Sequence, residues 1–315
     1  MTLIATPPRE GRESAHRARR WRMPWGTAGV ASLALVGVLV MLYPSTASWF
    51  SQYNQSKIVV GMGSTVSDEQ PAMIRDALDT ARAYNEALIT GQLDSGAQLD
   101  PSSNVPTSNV ASPGGFDYDQ LLRATADGVM ARLRVPSIGV DLPIYHGTSE
   151  RTLLKGVGHL EGTSLPVGGT SQHSVLTAHR GLPEATLFND LGEVKLGDTF
   201  TIEVFGDVLT YRVIDTQTIL PEESQALLPE YGKDLVTLVT CTPLGINTHR
   251  YLVTGERILP TPASDIAVAG ERPSIPGFPW WILLAAGAIG AYATVVVIAG
   301  RTPRGEDVSA SPIIT

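Results

Sequence analysis

Cys241 is the single cysteine of the chain, so it has no intramolecular disulfide partner and cannot join a cysteine-rich zinc or iron–sulfur cage. It ends the apolar, β-branched run Leu235–Thr240 and opens a Thr-Pro-Leu-Gly loop. A side chain at a strand end beside a loop is accessible, and an exposed unpaired thiol risks oxidation, which argues that this one is used. The reactive form is the thiolate, whose ordinary pKa of about 8.5 demands a nearby cation or base. Arg250 lies at the start of the next strand candidate, where an antiparallel return would bring it beside Cys241. A base is also required. His146, His159, His173, His179 and His249 share this part of the chain, and spacing alone selects none of them. No pair has the helical spacing and companion glutamate of a metal site, so no metal is expected. Gly168-Gly169 lacks the strand–helix context of a phosphate loop.

The elements that must carry these residues are short. After Gly128, β-branched runs separated by Gly and Pro give strand candidates at Val129–Val135, Leu142–Tyr145, Ser174–Ala178, Asp198–Phe205, Val208–Thr216, Leu235–Thr240 and Tyr251–Ile258. Seven or eight such strands predict a mainly β closed barrel or sandwich of about 130 residues. Upstream, Ser67-Asp68-Glu69-Gln70 reads as a capping box, and Met73, Ile74, Ala77, Leu78, Ala81, Tyr84 and Leu88 fall on one helical face, predicting a helix over 68–91. Gln92 to Gly115 is rich in Ser, Pro, Gly, Asn and Asp and reads as a long loop, with a short helix near Asp119–Thr125 leading out of it.

Thr237-Leu238-Val239-Thr240-Cys241 with Asn247-Thr248-His249-Arg250 resembles the TLxTC…R signature of sortases, and Thr177-Ala178-His179-Arg180-Gly181 resembles the end of their histidine-bearing strand. Pro143-Ile144-Tyr145-His146-Gly147, Gly156-Val157-Gly158-His159-Leu160 and Val239-Thr240-Cys241-Thr242-Pro243 look like class C, the pilin-polymerising sortases. The resemblance covers about 70–260. It implies an eight-stranded sortase β-barrel, with Cys241 as nucleophile, His179 as general acid/base, Arg250 as the group that holds substrate and oxyanion, and Thr240 and Thr177 as substrate-binding residues. It implies cleavage of LPxTG-like sorting signals between Thr and Gly through a thioester, then transfer to a lysine amine of another pilin, with no cofactor. A housekeeping sortase that attaches surface proteins to peptidoglycan is the alternative. The class also carries a lid with an Asp-Pro-aromatic motif. Here Asp100 and Pro101 match, while Ser102 replaces the aromatic, so a more weakly held lid is expected.

Charge distribution suggests the topology. Residues 1–24 hold six arginines against two glutamates, and Trp25 to Tyr43 is uncharged. At 1.5 Å per residue that run spans about 28 Å, close to a bilayer core of about 30 Å. A cleaved signal peptide is the competing reading, but the apolar run exceeds the usual length of one. A second uncharged stretch, Pro273 to Gly300, is edged by Trp280-Trp281 and followed by Arg301 and Arg304. Both flanks fit the positive-inside rule. The expected order is a cytoplasmic tail (1–24), a transmembrane helix (25–43), an extracytoplasmic helical segment with the lid loop (44–127), the catalytic barrel (128–262), a linker (263–276), a second transmembrane helix (277–300) and a cytoplasmic tail (301–315). The catalytic domain is expected outside a Gram-positive cell. With net charge −8 and eight of the arginines lying in the two end segments, the middle is acidic, which argues against a nucleic-acid partner.

Two rival functions fit less well. A wall-anchored structural protein needs LPxTG before its span, whereas the chain has Leu259-Pro260-Thr261-Pro262 there, and Leu165-Pro166-Val167-Gly168-Gly169 lies inside the domain without the threonine. Papain-like proteases place Cys before His, and here His179 precedes Cys241.

Overall fold

The computed structural model describes residues 21–90, 97–99, 106–108, 115–273 and 276–301. It divides into a unit formed by the two chain ends, to Tyr43 and from Trp280, and a unit spanning Pro44–Pro279. The end unit holds apolar helical segments from α1 (Trp25–Asp68) and α5 (Trp280–Gly300), both long and apolar enough to cross a membrane. In that unit the Ser32 hydroxyl donates to Tyr292 Oη at 3.4 Å. Most of the two terminal tails expected at 1–24 and 301–315 lies outside the described residues.

In the larger unit the eight-stranded barrel expected from the resemblance is present. Its strands are β1 (Val129–Val135), β2 (Val140–His146), β3 (Val157–His159), β4 (Gln172–Thr177), β5 (Thr199–Val204), β6 (Asp207–Ile219), β7 (Asp234–Thr242) and β8 (His249–Arg257). The order around the barrel is β8-β6-β5-β1-β2-β3-β4-β7, closed by antiparallel pairing of β7 with β8. The β2–β3 and β4–β7 pairs are parallel and the remainder antiparallel. Leu133, Ile144, Leu176, Phe200, Tyr211, Leu238 and Val253 fill the main core, each nearly or fully inaccessible to solvent.

Several boundaries differ from expectation. The capping box at Ser67 does not start a helix, because α1 continues through Asp68 and α2 runs Pro71–Ile89 with Gln70 extended at its N-cap. Proline disfavours helical backbone in the residue before it, and its own fixed φ suits the first helical position, so Pro71 sets the break. The helix near Asp119–Thr125 is a single 3₁₀ turn, Tyr118–Gln120, ended where Leu122 takes φ +54°. Within Gln92–Gly115, Ala97–Leu99 pairs antiparallel with Pro106–Ser108. The lid residues Asp100, Pro101 and Ser102 lie outside the described residues.

Strand β3 escaped sequence reading because three residues carry no period-2 signal. Its Gly158 is required: a Cβ there would collide with the Gly147 carbonyl and Leu153. The Phe205-Gly206 turn between β5 and β6 has both residues at positive φ, 47° and 91°, as a hairpin whose twist matches its strands needs.

The stretch expected as a linker begins with α4 (Ala263–Ala267) and is tied to the barrel through Glu271. Arg132 of β1, only 2% exposed, forms a bidentate pair with Asp141 at 2.7 Å and meets Glu203 at 3.3 Å. The same guanidinium donates to the Glu271 carbonyl at 2.8 Å, and Arg134 donates to Val268 at 3.0 Å. A buried cation is tolerated here because its donors meet carboxylates and carbonyls.

Candidate active site

Cys241 lies near the end of β7, directly opposite Arg250 of β8 in the antiparallel register. Between the two strands, Pro243–Asn247 forms a tight turn in which Ile246 N and Asn247 N both donate to the Pro243 carbonyl, with Asn247 at φ +59°. The Arg250 guanidinium reaches back to this turn, its Nη1 donating to the Asn247 carbonyl at 3.0 Å and to His249 at 3.2 Å. The side chain is 1% exposed, so its charge acts close to the thiol and largely out of water. Cys241 is itself only 6% exposed, where its place at a strand end suggests an accessible thiol; this burial pushes the thiol above its ordinary value, and the Arg250 charge pulls it back down in part.

On the other side of β7, parallel pairing sets Leu176 beside Leu238 and Thr177 beside Val239. The pairing continues past the end of β4, since Ala178 N donates to the Val239 carbonyl at 3.2 Å. Continued two residues beyond its last pair, that register sets His179 level with Cys241. Arg250 of β8, Cys241 of β7 and His179, two residues past the end of β4, thus fall in one row. Strand alternation puts the row on the outer face. Leu176, Val236, Leu238 and Val253 point into the main core, whereas Val175, Val239 and Leu252 form a second cluster with Leu160, Ile219 and Leu227. Leu227 comes from the loop between β6 and β7, and it also lines a cavity of about 430 Å³ with Leu88, His173 and Tyr231.

Thr240 and Thr177 flank the row. Thr240 is 1% exposed and donates its hydroxyl to the Ala178 carbonyl at 2.9 Å, fixing the backbone immediately before His179. Thr177 is also buried, and its hydroxyl has no partner among the described residues. Beyond His179, Gly181 adopts φ +83°, and a Cβ there would strike Leu244 of the β7–β8 turn. The segments following His179 and Cys241 therefore pack on each other.

The other histidines have structural partners. His159 is inaccessible to solvent; its Nε2 faces the Ser164 carbonyl at 2.9 Å and its Nδ1 the Tyr118 hydroxyl at 2.8 Å. That pattern fits a neutral ring that donates from Nε2 and accepts at Nδ1. His173 lies between the Leu228 carbonyl and Thr237 Oγ1, and His146 between Leu121 and Gly128 carbonyls. Burial holds all three below the ordinary histidine value, His159 at about 4. Among the described residues, no three His, Cys, Asp or Glu side chains converge as a metal site would need.

One residue near the row carried no sequence signal. Glu150 opens α3 (Glu150–Leu153), whose cap Ser149 accepts from Thr152 N at 3.2 Å and whose Leu153 is buried. Glu150 Oε2 lies 3.3 Å from His179 Nε2 without hydrogen-bond alignment. Its helix precedes β3 and packs on it, and β3 pairs with β4, the strand that leads into His179, a neighbourhood that only the barrel creates.

The barrel that carries these residues has known relatives. Residues 133–258 match the sortase domain family. Sortase C-1 from Streptococcus pneumoniae is 38% identical, with a TM-score of 0.57 over 65% of this chain and 100% of that one. Sortase C-1 from Actinomyces oris is 47% identical, with a TM-score of 0.50 over 59% and 98%. Sortase A of Bacillus anthracis is 26% identical over 156 residues, 49% of this chain and 71% of that protein. A barrel covering nearly the whole of such neighbours, at well over a third of positions identical, makes the chain a member of the sortase family of cysteine transpeptidases, with class C sortases among its structural neighbours.

Proposed function

We propose that this chain joins pilin subunits: it cleaves an LPxTG-like sorting signal between Thr and Gly and transfers the acyl group to a lysine amine of another subunit. The supporting observation is the row of Arg250, Cys241 and His179. In this reading the Cys241 thiolate attacks the threonine carbonyl carbon, and the negative charge gathering on its oxygen is met by the Arg250 guanidinium. The C–N bond then breaks as the His179 imidazolium gives its proton to the glycine amine, leaving a thioester on Sγ. The lysine nitrogen attacks that thioester, its proton passes to His179, and Cys241 departs as thiolate. The isopeptide bond takes its energy from the thioester, so no external energy source is required. Thr240 serves by holding the His179 backbone, and Thr177 by offering a hydroxyl toward the bound signal. The two apolar helices anchor the enzyme in the membrane, with the barrel of 128–262 outside the cell.

The test is incubation of the full-length protein in detergent with a sorting pentapeptide and a lysine-bearing acceptor. Mass spectrometry should find the amide adduct alongside the released glycine-terminal fragment. Fragment release with only the hydrolysed acid would sink the transpeptidase reading. An adduct with a peptidoglycan cross-bridge amine, and none with lysine, would assign the housekeeping role instead.

A further inference from the structure

We propose that Glu150 is the docking carboxylate for the incoming acceptor ammonium. The inference rests on the lysine-acceptor reading above and names the residue that would make it selective. Among the described residues, Glu150 is the carboxylate within 4 Å of a His179 ring nitrogen, at 3.3 Å from Nε2. Its side chain is 65% exposed while that of His179 is 12% exposed, so the carboxylate marks the solvent side of a largely covered imidazole. Two cations near the row are otherwise engaged: Arg180 Nε donates to the Asn189 carbonyl at 3.0 Å, and Arg250 is held by its own turn.

The chemistry demands something at this place. A lysine amine arrives from water as an ammonium and must lose a proton before it can attack. After acylation His179 has surrendered its proton to the departing glycine amine, so it is the base available to the incoming nitrogen: it takes the ammonium's first proton and passes it to water, then takes the second as the new C–N bond forms and Cys241 leaves. That nitrogen must therefore come within hydrogen-bond reach of the imidazole while still positively charged. The approach runs past Glu150, whose charge attracts the ammonium and holds it next to the group that will deprotonate it. The position is firm, because Ser149 caps the turn and Leu153 is buried beneath it. The Glu150 carboxylate makes no aligned hydrogen bond to His179 that an ammonium would have to break.

Thioester capture by two nucleophiles separates this role from a structural one. The full-length enzyme, loaded with sorting peptide, is offered either Nα-acetyl-lysine amide, a cation at neutral pH, or hydroxylamine, which is largely uncharged. Glu150→Gln should raise KM for the lysine probe about 3- to 5-fold relative to hydroxylamine, the range of an exposed ion pair, and Glu150→Lys about 10- to 25-fold. Glu150→Asp should restore most of the preference, and added salt should shrink the difference between wild type and Glu150→Gln. Equal losses on both nucleophiles, or none, would overturn the proposal. Wild-type capture by hydroxylamine without any lysine adduct would instead refute the acceptor reading itself, and this inference with it.

Discussion

Thr240, buried inside the end of β7, donates its hydroxyl to the carbonyl of Ala178, the residue before His179, at 2.9 Å. The bond ties the strand that bears Cys241 to the backbone that bears His179. Replacing Thr240 by Val leaves that carbonyl without its donor, at a cost of about 1–3 kcal/mol in stability. The larger effect should fall on rate: kcat for sorting-peptide cleavage drops about 10-fold or more, with KM changed less than about twofold, because slight misplacement of a reacting group is expensive. Thr240→Ser should recover most of kcat. A variant with wild-type kcat would separate this hydrogen bond from the chemistry.

Removing the thiol should remove the reaction. Cys241→Ala is expected to show no peptide cleavage above background while its thermal unfolding stays within a few degrees of wild type, since it loses a nucleophile and little volume. His179→Ala should fall nearly as far, and His159→Ala and His173→Ala should retain turnover in whatever fraction stays folded. Greater loss per folded molecule at His159 or His173 would put the base elsewhere.

The opposed influences on the thiol give a titration test. Burial raises the Cys241 pKa and Arg250 lowers it, so Arg250→Met should raise it further. At about pH 7.5 a rise of one unit slows iodoacetamide labelling of this sole cysteine about tenfold. Unchanged or faster labelling would mean that the guanidinium does not act on the thiol.

Acid should weaken the fold through its buried histidines. His159 has a folded pKa of about 4 against an ordinary 6.5, so the unfolded chain binds the extra proton first as pH falls. Its contribution is complete above about pH 6.5 and is lost progressively toward pH 4, about 3 kcal/mol in all. His146 and His173, both lowered by burial, act in the same direction. Urea midpoints at about pH 7.5 and 4.5 should differ less in His159→Gln than in wild type. An equal difference would show that His159 is not the acid-sensitive group.

Arg132 should prove more important to stability than to catalysis. Arg132→Met strands the Asp141 carboxylate, leaves Glu203 with only Arg134 and the Gly270 amide, and frees the Glu271 carbonyl, a loss of about 3–5 kcal/mol. Adding Asp141→Asn and Glu203→Gln should recover part of it, as read from urea midpoints. No recovery would assign the loss to packing alone.

What the sequence determined by itself was local. Cys241 stood out because it is unique and ends a strand, and Arg250 could be placed opposite it because a short antiparallel return fixes register over a few residues. The exact span of β1 was legible for the same reason: the breakers Gly128 and Pro136 that bound Val129–Val135 are local to the segment. His179 was selected by resemblance to a family, since no spacing rule distinguishes it from four other histidines. Only the tertiary structure set β4 parallel to β7, which brings His179 alongside Cys241, because pairing between distant strands is decided by closing the barrel core. It alone made Arg132 a buried clamp, where a charged strand residue reads as solvent-facing. It alone brought Glu150 to the edge of His179, since their proximity depends on β3, a strand too short to leave a periodic trace in the sequence.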